Sequence, residues 1–162
     1  MRTGVKTNVI RLLESHRIAH TVHVYETDEH FDAPAAARKL GVEPEQVFKT
    51  LVASGGGQAH LVFCLPAVLE LSLRKAAAVS GSRSVSLIRQ DDLLALTGYV
   101  RGGCSPLVMK KAFPTFVDES AALFETIYVS AGQRGVQVGL SPGDLLTLGR
   151  ELLPRCELAD LS

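Results

Sequence analysis

Neither sign of charge prevails in this sequence: 17 basic and 17 acidic side chains cancel over 162 residues. With no net field to gather a polyanion, tight unaided binding to DNA or RNA is not expected, so any nucleic-acid contact has to be local or assisted by a partner. Cysteine is scarce. Cys64, Cys104 and Cys156 are odd in number and widely separated, which matches neither a disulfide framework nor paired metal ligands, and they read as reduced thiols. Long apolar runs are missing as well: no segment approaches the roughly 20 residues of a membrane span. The N-terminus lacks the apolar stretch and cleavage site of a secretion signal, which makes the cytoplasm the expected location. His16, His20 and His23 lie close together, but the third falls beyond a helix break, and no Cys or carboxylate completes a metal set with them. No phosphate loop or other cofactor fingerprint occurs, so no cofactor is expected. Gly139-Leu140-Ser141-Pro142-Gly143 has the spacing of a Gly-x-Ser-x-Gly elbow, but Ser141 reads as the residue that opens the last helix, and no paired-carboxylate pattern occurs.

What is present suits one domain over residues 1–162, with 46% apolar and 21% charged residues, able to bury roughly two thirds of its unfolded surface. Thr7 or Asn8 caps a first helix ending near Ser15, and Asp32 with Pro34 opens a second that Gly41 stops. Ser72 caps a third to about Val79, a short fourth spans Asp91 to Leu96, and Ser141-Pro142 opens a fifth through Leu148. Strands are expected at Thr21–Tyr25, Val47–Ala53, His60–Leu65, Ser84–Ile88, Thr115–Asp118, Thr126–Ser130 and Gly135–Val138, with a tail strand within Cys156–Leu161. The three glycines at 55–57 turn the second of these strands back onto the third, since a strand comes after them and not the helix a phosphate loop needs. Several strands succeed one another through short turns, which points to a mixed α/β (α+β) domain: a barrel-like sheet of about seven strands, flanked by helices and curling toward closure.

Lys49 stands out within that plan. Period-two alternation places it on the face of Val47, Leu51 and Ala53, where an ammonium group needs an anionic partner, a route to the rim or a polar pocket meant for a ligand. Two further polar stretches call for a role. Thr97–Pro106 is too rich in glycine to be an ordinary strand and turns with exposed N–H groups, while Ser130–Gly135 is either a shaped hairpin or part of a site.

Five segments in order carry a resemblance: Lys6-Thr7-Asn8, Val47-Phe48-Lys49-Thr50-Leu51, Thr97–Pro106, Pro114–Asp118 and Ile127–Gly135. Together they resemble the YbaK family of aminoacyl-tRNA deacylases, free-standing relatives of the editing insertion of bacterial prolyl-tRNA synthetase. The resemblance covers nearly the whole chain. It implies hydrolysis of a mischarged aminoacyl-tRNA, above all cysteine on proline tRNA, in complex with prolyl-tRNA synthetase. It also implies Lys49 as the catalytic group and Tyr25, Phe31, Thr50, Gly102, Gly103, Ser105, Ser130 and Gln137 as substrate-binding residues. In cysteine-selective relatives the substrate's own thiol attacks its ester carbonyl, so no protein nucleophile is required. Gln137 stands where several relatives carry an aspartate, and Cys104 where an aliphatic residue is common. Cys104 reads as a small buried hydrophobe rather than a nucleophile, because no neighbouring His activates it. Alternative readings are a deacylase for alanine, serine or threonine on tRNA, and a non-catalytic module that binds tRNA or a synthetase.

Overall fold

Among the described residues, four of the five α-helices begin where a side-chain oxygen takes up an orphan backbone N–H. In the computed structural model, which describes residues 4–28, 32–57 and 59–162, Thr7 caps α1 (Asn8–Ser15) and Asp32 caps α2 (Ala33–Leu40). Ser72 caps α3 (Leu73–Ser80) and Ser141 caps α5 (Pro142–Leu152). Only α4 (Gln90–Thr97) starts without a side-chain cap, at Arg89. Gly41 and Gly81 end their helices in the left-handed conformation expected of a C-terminal glycine. The last helix runs one turn beyond the expected Leu148, and Pro154 lies just past its end.

Among the described residues eight strands form two sheets. In the smaller, β1 (His20–Val24), β7 (Val136–Leu140) and β6 (Ile127–Gln133) lie antiparallel in the order β1-β7-β6. The larger has the order β4-β2-β3-β5-β8, with β2 (Phe48–Ser54) and β3 (His60–Pro66) as the hairpin. Here β4 (Ser86–Leu87) is an antiparallel edge, and β5 (Thr115–Asp118) and β8 (Cys156–Ala159) add in parallel. The domain is therefore mixed α and β as its sequence indicates, but the sheet does not close into a barrel. Among the described residues one bridge, Val47 to Tyr128, joins the two sheets. Beyond it β6 shifts register between Ser130 and Gln133, and a bulged strand bends away from a prospective partner. The sheets part there.

The main core lies between α1, the smaller sheet and α5, where Val9, Ile10, Leu13, Val129, Val138, Leu145 and Leu148 are buried. A second cluster under α3 centres on the stacked rings of Phe63 and Phe116, 5.5 Å apart. Both faces of β2 are covered. Phe48 and Val52 are buried on one side, Val47 and Ala53 on the other, so alternation alone does not single out one apolar face for this strand.

Candidate functional site

A cleft of about 600 Å³ occupies the gap between the two sheets. One wall is β2, which contributes Phe48 to Val52; the other is the β6–β7 hairpin with Ser130, Arg134, Gly135 and Gln137. Tyr25 comes directly after β1 and closes one end. It is held by the hydrogen bond its N–H donates to the Gly135 carbonyl, 2.9 Å.

Lys49 lines the cleft, and its Nζ donates to the backbone carbonyl of Leu69 at 2.5 Å. That carbonyl lies in the loop after β3, which is tied back to β2 by the Ala67 N–H on the Val47 carbonyl, 2.8 Å. The partner is neutral. Among the described residues no carboxylate lies within ion-pair distance of Lys49. Burial pushes its pKa down, and the nearby Glu70 carboxylate pushes it partly back. The ammonium is aimed by a carbonyl dipole that leaves its charge uncancelled.

Thr50 points to the hairpin partner: its hydroxyl donates to Cys64 Sγ at 3.8 Å across the β2–β3 ladder. Ser130 is 7% exposed, and its Oγ accepts from the Gly132 N–H, 3.1 Å. Gln137 is its direct cross-strand neighbour. The amide of Gln137 meets the Tyr25 hydroxyl, which opposes the upward push that burial puts on the Tyr25 pKa. Gln137 Oε1 is buried without a hydrogen-bond donor among the described residues. A buried acceptor in that state costs about 1–3 kcal/mol, which a ligand bearing a donor would recover.

Of the residues named from the sequence, Lys49, Tyr25, Thr50, Gly102, Ser130 and Gln137 line this cleft together, and Gly103 and Ser105 do not. Gly103 packs on the β6–β7 turn, where a Cβ would stand 3.0 Å from the backbone nitrogen of Arg134. Ser105 is fully buried, and its Oγ accepts from the Leu107 N–H, 3.2 Å, so it shapes its own loop. Phe31 lies outside the described residues. The cleft also takes in Asp32, Arg89, Gln90, Arg101 and Arg134, whose place at a site no sequence pattern signals. Arg101 and Arg134 sit inside the resembling segments, but an exposed arginine in a loop carries no sign of its direction.

Cys104 lines the cleft yet is buried, and its thiol pKa is pushed up to about 12 by burial. Burial pushes Cys64 to about 12 as well and Cys156 to about 11. At pH 8 a thiol near 12 has roughly a thousandth of the thiolate of one near 9. The native protein is therefore expected to resist a thiol reagent at pH 8 on the minute scale and to titrate three thiols once unfolded. Rapid native labelling of Cys104 would refute its assignment as inert.

His16 and His20 each share a ring nitrogen with a local backbone carbonyl, and His23 with Thr21 Oγ1. No three His, Cys, Asp or Glu side chains converge to hold a metal among the described residues. A broader depression of about 1000 Å³ runs along β1, lined by Lys6, Glu14, His20, His23 and Lys39. Its charges are mixed, Lys6 pairs with Glu14, and of the catalytic and substrate-binding residues that the resemblance implies, Tyr25 alone borders it among the described residues.

The fold is mixed α and β, with a cleft between its two sheets that is lined by Lys49, Arg89, Arg101 and Arg134. This chain belongs to the aminoacyl-tRNA editing domain family, whose model matches residues 27–148. It is 41% identical over 148 residues, 91% of this chain and 90% of the relative, to EbsC of Enterococcus faecalis, a protein named for Cys-tRNA(Pro)/Cys-tRNA(Cys) deacylation. Two solved structures share the fold. One is described as a trans-editing enzyme for prolyl-tRNA synthetase, with TM-score 0.81 and 23% identity over 98% of this chain and 99% of that one. The other is the hypothetical protein APE2540, with TM-score 0.82 and 20% identity over 94% and 97%.

Proposed function

We propose that the whole chain acts as one trans-editing domain that hydrolyses the ester of a mischarged aminoacyl-tRNA, with cysteine on proline tRNA as its preferred substrate. The observation that carries this is Lys49: a charged group in a cleft, held by a carbonyl instead of a carboxylate. An aminoacyl ester is already activated, so the protein has chiefly to orient it and stabilise the oxyanion that develops on its carbonyl. Lys49 supplies positive charge for an oxygen of the terminal adenosine or of the ester, and the apolar neighbours Val47 and Leu51 lower the local dielectric around it. Ser130, Gln137 and Tyr25 form the opposite wall, where the amino acid's own polar groups find partners.

In this proposal the nucleophile is the substrate's own sulfur, as in the cysteine-selective members of the family that the sequence resembles. It bonds to the ester carbon as the carbon–oxygen bond to the ribose breaks, its proton goes to the departing ribose oxygen, and water then opens the thioester. The relative's name supports cysteine as the amino acid. The neutral net charge supports borrowed RNA affinity, so a cytoplasmic complex with prolyl-tRNA synthetase and tRNA(Pro) is part of the proposal.

A panel of tRNAs charged with cysteine, alanine, serine or threonine tests it. Fast release of cysteine from tRNA(Pro) is the expected outcome. Preference for one of the other amino acids would move the substrate within the class, and binding of all without turnover would leave only an RNA-binding module.

A further inference from the structure

The geometry points to an arginine rim at the mouth of the Lys49 cleft that binds the phosphates of a single-stranded RNA 3′ end, an inference that rests on the ligand being a charged tRNA. Arg89, Arg101 and Arg134 reach the cleft from three separate segments: the residue before α4, the loop after it, and the turn between β6 and β7. Arg101 Nη1 donates to the Gln90 carboxamide oxygen, and Arg134 Nη2 to the Asp28 carbonyl, each at 3.2 Å. Neutral acceptors fix the direction of a guanidinium without cancelling its charge. Arg134 also lies across Gly102, where a Cβ would come within 3.1 Å of its Nε, so glycine leaves room for the arm.

Among the described residues neither Arg101 nor Arg134 forms an ion pair. Arg89 reaches Asp91 only at 3.6 Å, with the two side chains 78% and 86% exposed, a contact that water screens. Lys49 is the fourth cation of the lining, and Asp32 is the lone carboxylate among the described lining residues. Asp32 is engaged in capping α2, its Oδ1 accepting from the Ala35 N–H at 2.9 Å. A chain that is neutral as a whole thus gathers positive charge at one opening.

The cleft has the volume of a site for a drug-sized ligand. A terminal nucleoside with its amino acid, seated there, leaves its 5′-phosphate and the next one at the mouth, among the guanidinium groups.

The test is binding without turnover: fluorescence anisotropy of labelled, deacylated tRNA(Pro) between about 50 and 200 mM salt, the range over which phosphate contacts are most visible. Arg101→Gln with Arg134→Gln is expected to raise Kd about tenfold or more at low salt and to flatten the slope of log Kd against log salt by about 1.4, at ~0.7 per contact on a single strand. Arg101→Lys with Arg134→Lys should keep the wild-type slope, because a point charge still displaces counterions. An unchanged Kd in the glutamine pair, a raised Kd with an unchanged slope, or a lysine pair as weak as the glutamine pair would each overturn the rim. A protein that binds with this slope yet hydrolyses no charged tRNA would sink the deacylase reading alone. One that hydrolyses while the glutamine pair keeps its slope would sink the rim alone.

Discussion

Lys49→Ala is expected to lower kcat/KM for cysteine release from tRNA(Pro) at least about 100-fold, the usual consequence of removing one group that stabilises charge in a transition state. Folding should be nearly unaffected. Nζ donates to a carbonyl at the protein surface, where water replaces it, and the Ala variant no longer has to hold an ammonium group half-buried. The pH dependence has its origin in the same burial. Because the folded pKa lies below the ordinary 10.5, the cost of keeping Lys49 charged is fully present below the folded pKa. Between that pKa and 10.5 the unfolded chain holds more protons, so stability gains from this group as pH rises. Activity runs the other way: the charge the ester needs disappears at a lower pH than an exposed lysine would allow. Single-turnover rates corrected for spontaneous ester hydrolysis should show an alkaline loss with a midpoint under 10.5 that is missing in Lys49→Ala. A variant that folds and still deacylates at the parental rate would end the assignment of Lys49.

Gln137→Leu is expected to separate activity from stability. The substitution removes a buried acceptor that no donor among the described residues satisfies and gives up the amide contact with Tyr25. Relief of about 1–3 kcal/mol is set against a hydrogen bond worth roughly 0.5–1.5 kcal/mol, so urea unfolding should show unchanged or slightly raised stability. Deacylation should fall about tenfold or more if, as the proposed function suggests, the donor that Oε1 accepts from is the α-ammonium group of the aminoacyl ester. The same reasoning makes N-acetylated Cys-tRNA(Pro) a poor substrate for the wild type, and Gln137→Leu should narrow the gap between the two. If the variant keeps both the parental rate and the parental discrimination, Oε1 has no part in binding the amino acid. An aspartate in this position, as in several members of the resembling family, would bring a charge; this chain offers a neutral oxygen and leaves the cleft more positive.

The elements came through from the sequence where their cause is local. Thr7, Asp32, Ser72 and Ser141 each need only a backbone N–H three residues on, and Gly41 and Gly81 only the absence of a Cβ, so the helix ends were legible. The strand β4 shrank to Ser86–Leu87 because an edge strand lasts only as far as its partner β2 accompanies it. Closure of the barrel failed for a related reason: it needed β6 and β2 to pair along their length, and a bulge between Ser130 and Gln133 prevented that. Gly103 and Ser105 belong to a segment whose composition announced a turn without saying which residues face inward.

By itself, the chain's order of residues determined the five described helices, the β2–β3 hairpin and the editing-domain resemblance, and it singled out Lys49 as a candidate, because capping, turn chemistry and an ammonium among aliphatic neighbours act over a few positions. Only the tertiary structure decided that the sheets stand apart, that Ser130 and Gln137 face Lys49 across the opening, and that three arginines from distant loops share its mouth. Those pairings join residues far apart along the backbone. Their free energy comes from packing and from the loss of water between surfaces, which no local pattern of residues encodes.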